Sequence, residues 1–126
     1  MAQTKTKMQI LIDIMERVID EFKIDFGIDS IITNQQYHYQ RFYYHGIEIG
    51  CYFRESISIA KKVVFCEGRI WDSNSVNHTP KNDYQSFKNE IYSSIKKILP
   101  KVIEVEKDLK VWKEKQMMES IKDDFV

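Results

Sequence analysis

Glycine and proline are scarce in this 126-residue chain, four and two respectively. That leaves little material for long irregular loops or for a linker between domains. Cysteine is scarce too: Cys51 and Cys66 are the only two, in no paired spacing. This excludes a disulfide framework and the knuckle spacing that grips zinc. Charge of one sign is missing, with 19 basic residues against 19 acidic. Residues 1–30 carry +4 and −6, residues 31–80 carry +5 and −4, and residues 81–126 carry +10 and −9. A protein that grips nucleic acid chiefly by neutralising phosphates shows a basic bias, so general duplex binding is disfavoured. No apolar run reaches the length of a membrane span. The amino-terminal MAQTKTK lacks the apolar centre of a secretion signal, so a cytoplasmic location with both thiols reduced is expected.

Catalytic signatures are missing as well. The glycines at 27, 46, 50 and 68 are isolated, so no phosphate-cradling loop is spelled out. The serines at 56, 58, 73 and 75 have neither a presenting turn nor an orienting base. His38, His45 and His78 have no ligand-spaced partners, and two of them point to opposite faces of a regular strand. No cofactor and no metal is therefore expected. The one opening for acid–base chemistry is that Glu48, Glu55, Glu67 and Asp72 could converge in a small sheet. Solvent-facing strand charges are the commoner explanation, and a non-enzyme is expected.

What is present is an ordinary globular balance, 43% hydrophobic and 30% charged. It suits one domain over 1–126, with 1–6 as a tail and 101–123 as a helix that protrudes. Isoleucine outnumbers leucine 18 to 3 and lysine outnumbers arginine 15 to 4, a skew associated with AT-rich genomes such as those of low-GC bacteria and their phages.

The first element is an amphipathic helix. Met8, Leu11, Ile12, Met15, Val18, Ile19, Phe22 and Phe26 recur at steps of three and four, which predicts a helix over 7–26. Thr6 with Gln9 has capping-box spacing, and Gly27 stands where a left-handed cap closes a helix. Ile10 and Ile14 widen the apolar surface enough to touch two neighbours. From Ile31 to Trp71, β-branched and aromatic residues take over with period two. IEIGCYFR, 47–54, alternates so that Ile47, Ile49, Cys51 and Phe53 form an apolar face. His45-Gly46 is the turn before it, which makes 37–44 its hairpin partner. A third strand follows over SISIAKKVVF, although Ile57, Ala60, Val63 and Val64 also suit a helix turn; then come a turn at Glu67-Gly68 and a short last strand. The polar residues 72–83 read as a loop. The expected sheet is an antiparallel meander of three to four strands.

The last third is helical. Tyr84, Phe87, Ile91, Ile95, Ile98, Val102, Val105, Leu109 and Trp112 step by three and four. Pro100 interrupts, so one kinked helix or two helices are expected. Together these elements define an α+β domain.

Two features suggest a binding role. QYHYQRFYYHG, 36–46, holds four tyrosines, a phenylalanine, two histidines and an arginine. On a strand, Tyr37, Tyr39, Arg41 and Tyr43 share a face. That is a half-buried structural strand, a protein interface, or a stacking platform for single-stranded RNA or DNA. The second feature is the distal helix, whose seam beyond Lys110 carries Trp112, Met117 and Met118. These apolar side chains exceed what the small body can shelter, which suggests self-association or docking. The expected contact residues are Tyr37, Tyr39, Arg41, Tyr43, Trp112 and Met117. The expected partner is a larger protein or nucleoprotein complex, with a homodimer through the last helix as an alternative. Composition and size fit a phage or mobile-element accessory or inhibitor of anti-defence type. Single-stranded nucleic-acid binding and a homodimeric structural or virion component are the alternatives.

Overall fold

Helix α1 runs from Lys7 to Phe26, the span its periodicity predicts, in a computed structural model that describes residues 6–34, 39–53, 55–80 and 83–124. Both ends are closed as expected. The Gln9 N–H donates to Thr6 Oγ1 at 3.1 Å, and Gly27 (φ 68°) turns left-handed so that its N–H reaches the Lys23 carbonyl. Met15, Val18, Ile19 and Phe22 are buried, while Met8 and Ile10 in the opening turns stay exposed.

Five strands follow, one or two more than expected: β1 (Asp29–Asn34), β2 (Tyr39–Tyr44), β3 (Ile47–Phe53), β4 (Ser56–Cys66) and β5 (Arg69–His78). They form one antiparallel sheet in sequence order. Two tight hairpins set its register. His45-Gly46 (φ 51° and 79°) joins β2 to β3, and Glu67-Gly68 (φ 49° and 81°) joins β4 to β5. Positive φ at both turn residues matches the right-handed twist of the flanking strands. β1 is an addition to the expected sheet. β5 corrects the expected loop at 72–83: Asp72 to His78 pairs in register with Val63 to Ile57.

Helix α2 is a single element from Tyr84 to Asp124, 41 residues with Pro100 inside it. The ring removes the bond that its N–H would make to the Lys96 carbonyl and crowds that carbonyl. Packing of Ile95, Ile98, Val102 and Val105 on both sides of the proline holds the helix in place across the gap. Asp83 caps its start, accepting from the Gln85 N–H at 3.1 Å and from Ser86 Oγ at 2.7 Å.

Both helices lie on one face of the sheet. Phe22 of α1 meets Phe42 of β2 edge-on at 5.0 Å. α2 presents Phe87, Ile91, Ile95, Ile98 and Val102 to a core shared with Tyr52, Ile57 and Ile59. The helices are strapped together at the end of α1. Glu21 accepts from the Tyr84 hydroxyl and from Lys88 Nζ, and Tyr92 donates to Asp25 Oδ2 at 2.7 Å. Hydrogen bonding to Lys88, then to Tyr84, holds the Glu21 carboxyl below its ordinary range.

Candidate binding surface

A bulge in β3 decides which side chains face away from the helices. Phe42 pairs with Gly50 but Tyr43 pairs with Glu48, so Ile49 is the extra residue. Ile47 and Ile49 point inward, and then the phase switches: Gly50 and Tyr52 are inward, whereas Cys51 and Phe53 are not. This corrects the simple alternation, which put Cys51 and Phe53 in the apolar face. Glycine is required at the switch, because a Cβ on Gly50 would collide with the Ser58 carbonyl oxygen and lie 3.2 Å from Ile59 Cδ1. Cys51 is half-buried and Cys66 exposed.

The face turned away from the helices therefore carries Ile31, Tyr39, Arg41, Tyr43, Glu48, Cys51 and Phe53. Ile31 stands opposite Arg41 on the edge strand and is 55% exposed, and Phe53 is 37% exposed. Tyr39 packs edge-on against Phe53 at 5.4 Å, and the Arg41 guanidinium lies over the Tyr39 ring at 5.4 Å. Arg41 Nε is 3.6 Å from Glu48 Oε1. The Tyr39 side chain first, then Tyr43 and Glu48, favour the charged guanidinium and push its pKa up. Glu48 thus stands beside the Arg41 charge, while Arg41 Nε itself makes no hydrogen bond. Tyr37 and His38 fall outside the described residues.

At the foot of this face, a groove of about 410 Å³ opens between the two hairpin turns. Tyr43, His45 and Glu48 line one wall, Trp71 and Asp72 the other, and Glu106 and Leu109 of α2 close it. His45 Nδ1–H donates to Glu106 Oε2 at 2.8 Å, pinning the first turn to the helix. Of the four carboxylates that could have converged, Glu48 and Asp72 both line this groove, while Glu55 and Glu67 stand exposed on turns. Burial, then the nearby Asp72, pushes the Glu48 carboxyl up, against the pull of Arg41. Burial also raises the Cys51 thiol, with Glu48 next in effect. That keeps Cys51 protonated and a poor nucleophile at neutral pH. Among the described residues, no group of three His, Cys, Asp or Glu is placed to hold a metal ion.

Trp112 and Met117, expected to act together, are separated. The Trp112 indole lies on Gly68 at the β4–β5 turn and is half-buried within its own chain. Beyond it every described side chain on α2 is exposed, Met117 included. The features that sequence reasoning missed are Ile31 on the open face and Trp71 in the groove. Ile31 was visible only as the start of a β-rich stretch. Trp71 lay at the end of a strand expected to stop there.

The chain matches no known protein family, no curated protein and no solved structure. Among the described residues, no helix is long and apolar enough to cross a membrane.

Proposed function

We propose that this protein is a non-catalytic binding module that engages a larger protein through the open face of its sheet. The observation that carries this reading is the Ile31–Tyr39–Arg41–Tyr43–Phe53 surface, in which Ile31 and Phe53 are exposed and Tyr39, Arg41 and Tyr43 half-buried. It is aromatic, arginine-bearing and uncovered by either helix, the composition of interface anchors. The foot of that surface is acidic, with Glu48, Asp72 and Glu106 around the groove. A basic side chain of the partner complements it, whereas a phosphate backbone does not. On the compositional association alone, the partner is a component of a host or viral assembly and the chain its cytoplasmic accessory or inhibitor, of anti-defence type.

The test is affinity capture from the native host lysate with the wild-type chain beside Tyr39→Ala and Arg41→Glu. One protein retained by the wild type and lost from both folded variants supports the reading. Equal retention by all three overturns it. Single-stranded nucleic-acid binding is the second reading, favoured by the Tyr39 and Tyr43 rings beside Arg41. Fluorescence anisotropy with labelled single-stranded RNA and DNA at low salt separates the two. Binding that weakens with salt and with Tyr39→Ala selects the second; no binding retires it.

A further inference from the structure

We propose that the groove between α2 and β4 binds a small amphipathic anion, a carboxylate or phosphate head on a short apolar body. The groove holds about 340 Å³, within the range of small-molecule sites. Ile59 and Ala60 of β4 and Val76 of β5 line it from the sheet. Ile59 and Ala60 are almost fully buried, so core packing fixes this apolar floor in place. Ser94 lines the groove from α2, and its hydroxyl is anchored, with Oγ 2.8 Å from His78 Nε2.

Charge selects the head of that ligand. Lys61 and Lys62 of β4 and Lys97 and Lys101 of α2 all line the groove. Ser94, Lys97 and Lys101 follow at steps of three and four, one face of the helix. The Lys101 ammonium is already held at the wall, donating to the Lys61 carbonyl at 2.9 Å. No acidic residue lines the groove, and among the described residues none of the four lysines is ion-paired. Glu104 and Asp108 belong to a separate groove farther along α2, which shares Lys62 and Lys101 but not Lys61 or Lys97. Ammonium groups gathered round one cavity repel each other, and an anion seated among them relieves that repulsion. A bare ion leaves the apolar floor uncovered, and an uncharged molecule leaves the lysines unpaired. The groove at the foot of the open face carries Glu48, Asp72 and Glu106 instead. The two grooves therefore select ligands of opposite charge, and either reading can fail without the other.

The test titrates the full, isotope-labelled chain with sodium octanoate, octyl phosphate, octanol and inorganic phosphate, following amide shifts by NMR. Octanoate and octyl phosphate are expected to bind saturably below about 10 mM, with the largest shifts at Ala60, Val76, Ser94 and Lys97. Octanol and inorganic phosphate are each expected to bind more weakly by roughly tenfold or more. Lys61→Gln and Lys97→Gln, on different elements, are each expected to weaken octanoate binding with circular dichroism unchanged. Together they are expected to weaken it by roughly tenfold, whereas Lys115→Gln on the distal helix leaves it unaltered. Absence of saturable binding by both octyl anions overturns the proposal, as does full affinity in the folded double variant. Equal binding by octanol or by inorganic phosphate overturns the amphipathic class. Displacement of octanoate by a hexaglutamate peptide at lower concentration assigns the groove to an acidic protein segment and overturns it too.

Discussion

The six-membered ring of Trp112 lies over Gly68 so closely that a methyl group on that glycine would come within 2.6 Å of Cη2. The contact joins the distal half of α2 to the tip of the β4–β5 hairpin. Gly68 also sits at φ 81°, so alanine there is opposed twice, by the left-handed backbone and by the indole. Gly68→Ala is expected to cost about 2–4 kcal/mol in urea denaturation. Trp112→Ala, which empties a half-buried site, is expected to cost about 1–3 kcal/mol while leaving the oligomeric state unchanged. A mass shift from Trp112→Ala would contradict the assignment of this indole to its own chain.

Gly50 is the second glycine with a steric reason. Gly50→Ala forces the Ser58 carbonyl and the β3–β4 pairing apart. A loss of about 3 kcal/mol is expected, read from the denaturation midpoint. A neutral result would mean that the bulge at Ile49 relaxes to accept a side chain.

Glu21 gathers donors from Arg17, Tyr84 and Lys88. Glu21→Gln keeps the shape and removes the charge, and is expected to cost about 1–2 kcal/mol. Because the folded carboxyl sits below its ordinary value of 4.5, its contribution is complete above that value. It is lost as pH falls through the lower, folded one. The difference between wild type and Glu21→Gln should therefore shrink on acidification and vanish once both states are protonated.

His78 gives a pH response in a higher window. It is buried beside α2, with Nε2 2.8 Å from Ser94 Oγ and Nδ1 3.8 Å from Glu90 Oε2. Burial lowers its pKa from the ordinary 6.5, outweighing the opposing pull of Glu90. Below 6.5 the unfolded chain binds a proton that the folded chain resists. Stability then falls with pH until the folded value is reached. His78→Gln is expected to flatten that slope between neutral and mildly acidic pH in thermal melts. An unchanged slope would show that His78 protonates freely in place.

Local chemistry made much of this fold legible. Thr6 and Gly27 bound α1 because caps are short-range, and His45-Gly46 and Glu67-Gly68 mark their hairpins for the same reason. The second half of β5 was illegible because DSNSVNH has no apolar alternation. Its pairing is imposed by β4, and within it only His78 is buried. The bulge at Ile49 adds one residue that no pattern announces, and it reverses the faces of Cys51 and Phe53. The open face is half visible in the sequence: Tyr39, Arg41 and Tyr43 alternate along one strand, but their neighbours Ile31 and Phe53 come from other strands. Trp112 and the methionines read as one seam because spacing near three and four cannot separate two stripes on a helix. The position of Gly68 separates them.

The order of strands in space repeats their order along the chain, and this bears on how the molecule assembles. Each new strand closes only a short loop against the one before it, so the sheet can zip up hairpin by hairpin at small entropic cost. Contacts between the two helices, such as Glu21 with Tyr84 across 63 positions, close the longest loop. Their joining is expected as the late step, in which case weakening Glu21 speeds unfolding while leaving the refolding rate nearly untouched.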